Sequence, residues 1–323
     1  MSGALSEYRI DDLRPEDRPV CERLTFPAYR HLLALARTLR HPGEGDQWPI
    51  LPFGVVARLG DRIVALALAE VPVEPGGASP ELLSLYVDPD HRGKGVATRL
   101  VEAVEQVVSA RGFGAIEAVY TTGRASQPAV ERIFEKRGWQ PPERRTVSVR
   151  FTIEEALAAP WYGRVGVPEG AEIFPWTGLT DDERRRLIES NAAAPWIPAS
   201  LQPWRHDRIG FDPDSSLGMR YRGDVVGWVI NHRISDDTVR FTCSFMRGDL
   251  SRRARILPLY TESVRRLAAS GCRFCTFVTP TVYPPMVEFI ERHCRPYASF
   301  TGETRGTRKA LAGGPVGTPN GPR

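Results

Sequence analysis

Between Asp88 and Leu100 the chain reads DPDHRGKGVATRL, and residues in that run could together hold a phosphate. Arg92 and Lys94 supply positive charge. Gly93 and Gly95 permit a tight turn and let a ligand reach the backbone with no side chain in the way. From Val96 and Ala97 onward, apolar residues (Leu100, Val101, Val104, Val107, Val108) recur at helical spacing, with Glu102, Glu105 and Gln106 mainly between them. The first turn of such a helix has backbone N–H groups without intrahelical acceptors, and its aligned peptide dipoles favour negative charge. A phosphate or pyrophosphate bound by Gly93, Lys94, Gly95, Val96 and Ala97, with Arg92 beside them, is the chemistry this pattern allows. The alternative is an ordinary glycine turn. The spacing fits neither GxxxxGK[ST] nor GxGxxG, which excludes both of those nucleotide loops.

The elements that must position this turn can be read on either side of it. LLSLYV, from Leu82, is rich in strand formers, with Leu83, Leu85 and Val87 alternating onto one face, and Asp88-Pro89 ends it. Ahead of it lie a short strand at Tyr8–Ile10, a helix over Leu13–Arg40 broken by Pro42 and Gly43, and a hairpin in GVVARLGDRIVALALAEV turned at Gly60-Asp61. VEPGGASP is a loop leading to the central strand. After the long helix come the strand AIEAVY (Ala115–Tyr120), a helix in SQPAVERIFEKRGW ending near Gly138, and the strand TVSVRFTI from Thr146, which closes the unit.

VDPDHRGKGVATRL resembles the acyl-coenzyme-A-binding segment of the GNAT superfamily of N-acyltransferases, whose signature [QR]-x-x-G-x-[GA] lies between a strand and a long helix. The resemblance implies an α/β (α+β) fold: a mixed, mainly antiparallel twisted sheet flanked by helices. It implies that the turn binds the pyrophosphate of acetyl-CoA or another acyl-CoA. It also implies that Leu85, Tyr86 and Val87 form the strand edge beside the pantetheine arm. Relatives carry an asparagine and a tyrosine in the last helix; here Gln127 and Phe134 stand at those coenzyme-site positions, with Trp139 at the final aromatic one. In many relatives the tyrosine protonates the departing thiolate. Phe134 has no hydroxyl to do so. It reads as a core aromatic, and either another donor serves the thiol or water neutralises the thiolate.

The implied reaction is direct attack of a primary amine on the thioester. An ammonium must first lose a proton, by a carboxylate or a water bridged to one, and developing charge on the thioester oxygen calls for a positioned N–H. Glu81, where relatives often carry a water-bridged glutamate, is the first candidate for the base, and Glu117 on AIEAVY is the second. The expected acceptor is a small or medium polar amine. A noncatalytic CoA-binding sensor or interaction protein is the competing expectation, made credible by Phe134.

The downstream half repeats the pattern. YRGDVVGWVI has the same strand, turn and strand; VRFTCSFM, a helix through SRRARILPLYTESVRRLAAS and the strand GCRFCTFV follow, with Gly271 placed as Gly112 is. Two tandem copies are therefore expected: residues 1–155 with the acyl-CoA loop, a linker at 156–170, a degenerate copy at 171–311 and a Gly/Pro-rich disordered tail at 312–323. In the second copy the turn reads SRRARI from Ser251, with both glycines gone. Arg252, Arg253 and Arg255 would still attract phosphate, but their bulk removes the close backbone approach, so this copy is expected to support the first or to shape the acceptor pocket.

Cys272 and Cys275 form a CxxC on a core strand without a second pair, which reads as structural, and the six histidines include no HExxH; no metal is expected. His91 either touches the coenzyme or is an exposed turn residue. Trp196, Trp204, Arg205, His206 and Asp207 either line an acceptor cleft or pack an interdomain loop. With 43 basic and 39 acidic residues interspersed, composition makes no case for nucleic acid, and no apolar run approaches the roughly 20 residues of a membrane span. The start MSGALSEYRIDD shows no basic-then-apolar leader, which suits a cytoplasmic protein. A monomer or homodimer is expected.

Overall fold

The chain divides after Arg144, and one unit takes back the segment from Thr304 onward while the other holds Arg145–Glu303. In the computed structural model, which describes residues 7–35, 50–72, 79–207, 210–248 and 256–312, each unit is a mixed sheet flanked by helices. The final turn of the expected first helix, Pro42 and Gly43, most of VEPGGASP, Ser251 to Arg255 and the tail from 313 lie outside the described residues.

In the first unit, β1 (Tyr8–Asp12) pairs with β2 (Ile50–Leu59), β2 with β3 (Arg62–Pro72) and β3 with β4 (Glu81–Val87), all antiparallel. The hairpin turns as expected at Gly60, whose φ of 58° suits a residue without Cβ. Between β1 and β2 the expected single helix is instead broken into short turns and two short helices, α1 (Arg18–Cys21) and α2 (Arg30–Leu35). Pro27 explains the break: Thr25 and Phe26 are extended before it, as the ring of a following proline demands. Buried Arg58 on β2 anchors this segment through Asp17 (2.6 Å) and Asp11 (3.2 Å).

Helix α3 (Val96–Ala110) buries Leu100, Val101, Val104 and Val108 completely against the sheet. Each such side chain contributes about 1.5–3 kcal/mol. Glu105, expected on the polar face, is only 4% exposed. It accepts from Arg137 (2.5 Å), Lys309 (2.6 Å) and the Trp139 indole (2.8 Å). A lone acid among apolar residues reads as surface in sequence because its partners come from distant segments. β5 (Ala115–Thr121) runs parallel to β4, and α4 (Gln127–Lys136) follows.

The strand after α4 does not close this unit. β6 (Glu143–Thr152) pairs antiparallel, over Thr146–Thr152, with a strand of the second unit, β11 (Phe274–Pro280). The place beside β5 is taken by Thr304–Ala310 of β12 (Phe300–Ala310). The expected boundaries at 155 and 171 are therefore replaced by an exchange of final strands. The expected linker is also part of the second unit. α5 (Ile153–Ala158) is capped by Thr152 and Glu155, and Ile153, Ala156, Ala159 and Trp161 are all buried in its core.

The second unit otherwise repeats the same element order. β7 (Ala171–Pro175), α6 (Asp181–Ala193), α7 (Pro203–His206), β8 (Leu217–Tyr221), β9 (Asp224–Ser235) and β10 (Thr238–Met246) are followed by α8 (Leu257–Ala269), β11 and α9 (Pro284–Phe289). Its strands pair in the order β7, β8, β9, β10, β11, β6, antiparallel except for β10 with β11. Gly112 (φ 81°) and Gly271 (φ 73°) both stand three residues before the strand that pairs in parallel.

Candidate functional site

β4 and β5 are hydrogen-bonded neighbours for only two residue pairs, Glu81 with Glu117 and Leu82 with Ala118. Beyond them the strands part. One cause lies in β4: its register against β3 slips between Leu82 and Ser84, so Leu83 is an extra, bulged residue. The bulge also corrects the expected alternation. Leu82, Leu85 and Val87 face the core beneath α3, while Tyr86 joins the core beside α1 and α2, and Leu83 belongs to neither.

The parting leaves a cleft of about 460 Å³, lined by Glu81 to Leu85, Ala118 to Thr121, Phe26, Tyr29 and the α4 residues Gln127, Val130 and Phe134. Four of the sequence-predicted residues thus meet there: Glu81, Leu85, Gln127 and Phe134. Glu117 stands at its closed end as the register partner of Glu81. A hollow of about 620 Å³ elsewhere in this unit, between β1, β2 and α3, holds none of the predicted residues.

The glycine turn lies past the end of β4. Buried Asp88 fixes that end, accepting from Arg23 (3.0 Å) and lying 3.4 Å from Arg62. Arg92 does not stand over the turn as a bare charge: its Nε donates to the Val87 carbonyl (2.9 Å) and its guanidinium lies 5.8 Å from the centre of the Tyr86 ring. Gly93 and Gly95 have φ of 73° and 76°, and a Cβ on Gly93 would meet open space. Lys94 is exposed. Gly95 precedes α3 directly, and the first intrahelical bond runs from the Arg99 N–H to its carbonyl (3.2 Å), which leaves the N–H groups of Val96, Ala97 and Thr98 without helical acceptors. His91 is buried, not exposed. Its Nδ1 lies 3.0 Å from the Tyr8 hydroxyl, tying the turn to β1.

Sequence reasoning missed four residues. Glu70 on β3 is the register partner of Glu81, so Glu70, Glu81 and Glu117 form one row across three strands. Tyr29, in the cleft wall, has its phenol pushed up, first by burial and then by the charges of Glu81 and Glu70. Tyr120 donates to Glu131 (2.8 Å), to which Gln127 also donates (3.0 Å) while accepting from the Gly123 N–H (2.7 Å). Burial and then Glu131 push the Tyr120 phenol up. Burial opposes the charged form of Glu131, but Gln127, Tyr120 and Arg305 together hold its carboxyl below the usual range. The four-residue spacing of Gln127 and Glu131 on a helix face was the one signal that could have found this network. Phe134 is 5% exposed, its ring 4.6 Å from that of Trp139 and 6.1 Å from that of Tyr120.

Outside the cleft, Cys272 and Cys275 are buried and unpaired, and no cluster suited to a metal ion occurs among the described residues. Trp196 packs on Trp228 and Phe245 within the second unit, and Asp207 is paired with Arg184 at 2.6 Å.

Residues 16–139 match the sequence profile of the acetyltransferase (GNAT) family. No curated protein matches the chain in sequence. Among solved structures, a GCN5-related N-acetyltransferase from Sphaerobacter thermophilus is similar at 18% identity and a TM-score of 0.60, covering 96% of this chain and 97% of that one. A tandem GNAT protein from the clavulanic acid biosynthesis pathway is similar at 15% identity and a TM-score of 0.62, covering 96% and 100%. A glucosamine N-acetyltransferase region of a fungal multi-domain β-N-acetylglucosaminidase is similar at 16% identity and a TM-score of 0.60; this chain is covered over 94% and spans 38% of that one. The fold is that of the GNAT acetyltransferases, a mixed sheet with flanking helices.

Proposed function

We propose that the first unit is an acyl-CoA-dependent N-acyltransferase that transfers acetyl to a primary amine of a small or medium polar molecule. The observation that carries this reading is the parting of β4 from β5 directly before a glycine turn that opens a helix. β4 beyond Leu82 has no β5 ladder partner among the described residues, so a ligand amide can pair with its backbone at Leu85 to Val87. The N–H groups from Gly93 to Ala97, with open space where a Gly93 side chain would stand, suit a pyrophosphate. The residues present therefore fit acyl-CoA, which supplies the activated thioester.

Glu81 lines the cleft and has carboxylates on both sides in its row, an arrangement that attracts an ammonium and can take its proton directly or through a water. The amine nitrogen then bonds to the acyl carbon, the carbon–sulfur bond breaks with its electron pair going to sulfur, and the nitrogen gives its second proton to water as the amide forms. Phe134 cannot protonate it. Tyr120 is bonded to Glu131, so the thiolate is neutralised by water in this reading.

The second unit reads as a degenerate copy of the same fold, supported by its matching strand order and its glycine before β11. A coenzyme-binding protein without turnover is the second reading, and Phe134 favours it. Titration of the full chain with acetyl-CoA, followed by thiol release across a panel of small amines and lysine peptides, tests both. Binding at one site with turnover on small amines is expected. Absence of binding sinks the donor site, binding without turnover on any amine favours the sensor, and turnover on peptides alone overturns the acceptor class.

A further inference from the structure

The second unit holds a cavity larger than the cleft and the hollow of the first unit. In the second unit β10 and β11 pair from Thr238 with Phe274 to Phe241 with Phe277 and then part, as β4 and β5 do. A cavity of about 970 Å³ opens at that parting, lined by Thr242, Ser244 and Met246 of β10 and by Val278, Thr279 and Pro280 of β11. Its volume is at the upper end of what drug-sized ligands occupy.

Its walls are aromatic. Phe241 and Phe277 stack at 4.5 Å and 9°, and Tyr260 stands edge-on to both, at 5.5 Å and 5.3 Å. Trp161 and Phe289 complete the lining on the helix side. Faces and edges of rings arranged in this way receive a flat apolar body with offset and edge-to-face contacts. Trp161 is 3% exposed, and its indole N–H is buried without a hydrogen-bond partner. An unmet donor of this kind costs about 1–3 kcal/mol, a deficit that a ligand acceptor would remove.

Arg164 and Arg205 line the cavity together with His206 and His293, and among the described residues no Asp or Glu does. His206 Nε2 donates to the Ser200 carbonyl (2.8 Å), which holds its ring at the opening. The acidic cleft of the first unit suits a cation; this one suits an anion with an apolar body.

We infer that this cavity is a binding site for an aromatic carboxylate. The ring packs against the cavity side of Phe241, Tyr260 and Phe277, the carboxylate faces Arg164 and Arg205, and the Trp161 N–H is the directional donor. The inference does not depend on acyl transfer by the first unit.

The test uses the full chain and 1-naphthaleneacetate as the probe, with the neutral 1-naphthaleneacetamide as the charge control and acetyl-CoA as a competitor. Calorimetry is expected to show one saturable site for the acid, about tenfold tighter than for the amide, which corresponds to about 1.4 kcal/mol. The double variant Arg164→Glu with Arg205→Glu, whose side chains are exposed, is expected to keep its circular dichroism and melting temperature and to lose about tenfold. Trp161→Phe is expected to lose several-fold, and Ser244→Trp, which fills the space, to lose binding altogether. Gly95→Val should leave the probe's affinity unchanged, and acetyl-CoA should not displace it. No saturable binding, equal affinity for acid and amide, or displacement by acetyl-CoA overturns the assignment.

Discussion

Among the described residues each unit has one parallel strand pair, and both pairs part to leave openings lined with opposite chemistry. In the first, β4 and β5 separate after two residue pairs and the cleft receives Glu81, with Glu70 and Glu117 in its row. In the second, β10 and β11 separate after four pairs, the opening is about twice as large, and its basic lining residues are Arg164, Arg205, His206 and His293. The backbone device is common to both, so it cannot by itself specify a reaction. What specifies it is the set of side chains on the parted strands, which is why function has to be argued for each cleft separately.

The comparison breaks first at Glu81. Glu81→Gln removes the proposed base, and kcat is expected to fall by about 10²–10⁴ with the affinity for acetyl-CoA unchanged. Glu117→Gln should fall less. An equal loss from both in steady-state thiol release would make the row, and not Glu81, the acting unit.

Each unit also holds a buried acid that fixes its helices, and here the expectation concerns stability. Glu105→Ala strands Arg137 and Lys309 and is expected to cost about 3–5 kcal/mol in urea unfolding. Glu183, 8% exposed and paired with Arg220 at 2.6 Å, is the counterpart, and Arg220 with the Thr180 cap lowers its carboxyl to about 2. For Glu105, burial opposes the charge, but Arg137, Lys309 and Trp139 hold its carboxyl below the usual range. Both folded values are depressed, so this stabilisation is complete above the unfolded pKa of roughly 4.3 and is lost as pH falls through the folded values. Glu183→Gln is expected to flatten the acid limb between about pH 4.3 and 2; an unchanged slope in unfolding midpoints would remove that assignment.

Gly95→Val should act on one cleft alone. A β-branched residue at φ 76° costs about 1–2 kcal/mol in local strain and covers the backbone, so acetyl-CoA affinity is expected to fall about thirtyfold with the chain still folded. Unchanged titration would remove the turn as the donor site. With SRRARI from Ser251 laid against RGKGVA from Arg92, Ala254 falls at the place of Gly95, and it lies outside the described residues. The smallest effect is expected from Phe134→Tyr. Adding the phenol that relatives carry should raise kcat a few-fold, measured as thiol release, if protonation of the leaving sulfur limits the rate.

Local pattern made much of the fold legible. Both hairpins and α3 follow from glycine turns and from apolar residues at periods of two and 3.6, which are properties of a few neighbouring residues. The glycine turn was legible for the same reason. The bulge at Leu83 was not, because an alternating string does not say where one residue is skipped; Glu70 was missed with it, since its place beside Glu81 is a matter of register. Glu105 and the Tyr120–Glu131 pair depend on partners far along the chain. Pro27 marks the break in the first helix, since a proline pushes the residue before it out of the helical region.

The exchanged final strands set the order in which a ribosome can finish the two folds. The second unit holds the chain through Glu303, and β12 begins within it at Phe300. The first unit is encoded earlier, yet β5 keeps an open edge until Thr304–Ala310 emerges. An open edge strand is a template for wrong pairing, and a contact so distant in sequence is slow to form. The cleft between β4 and β5, written first in the gene, thus gains its last strand only after the second unit's residues through Glu303 are made.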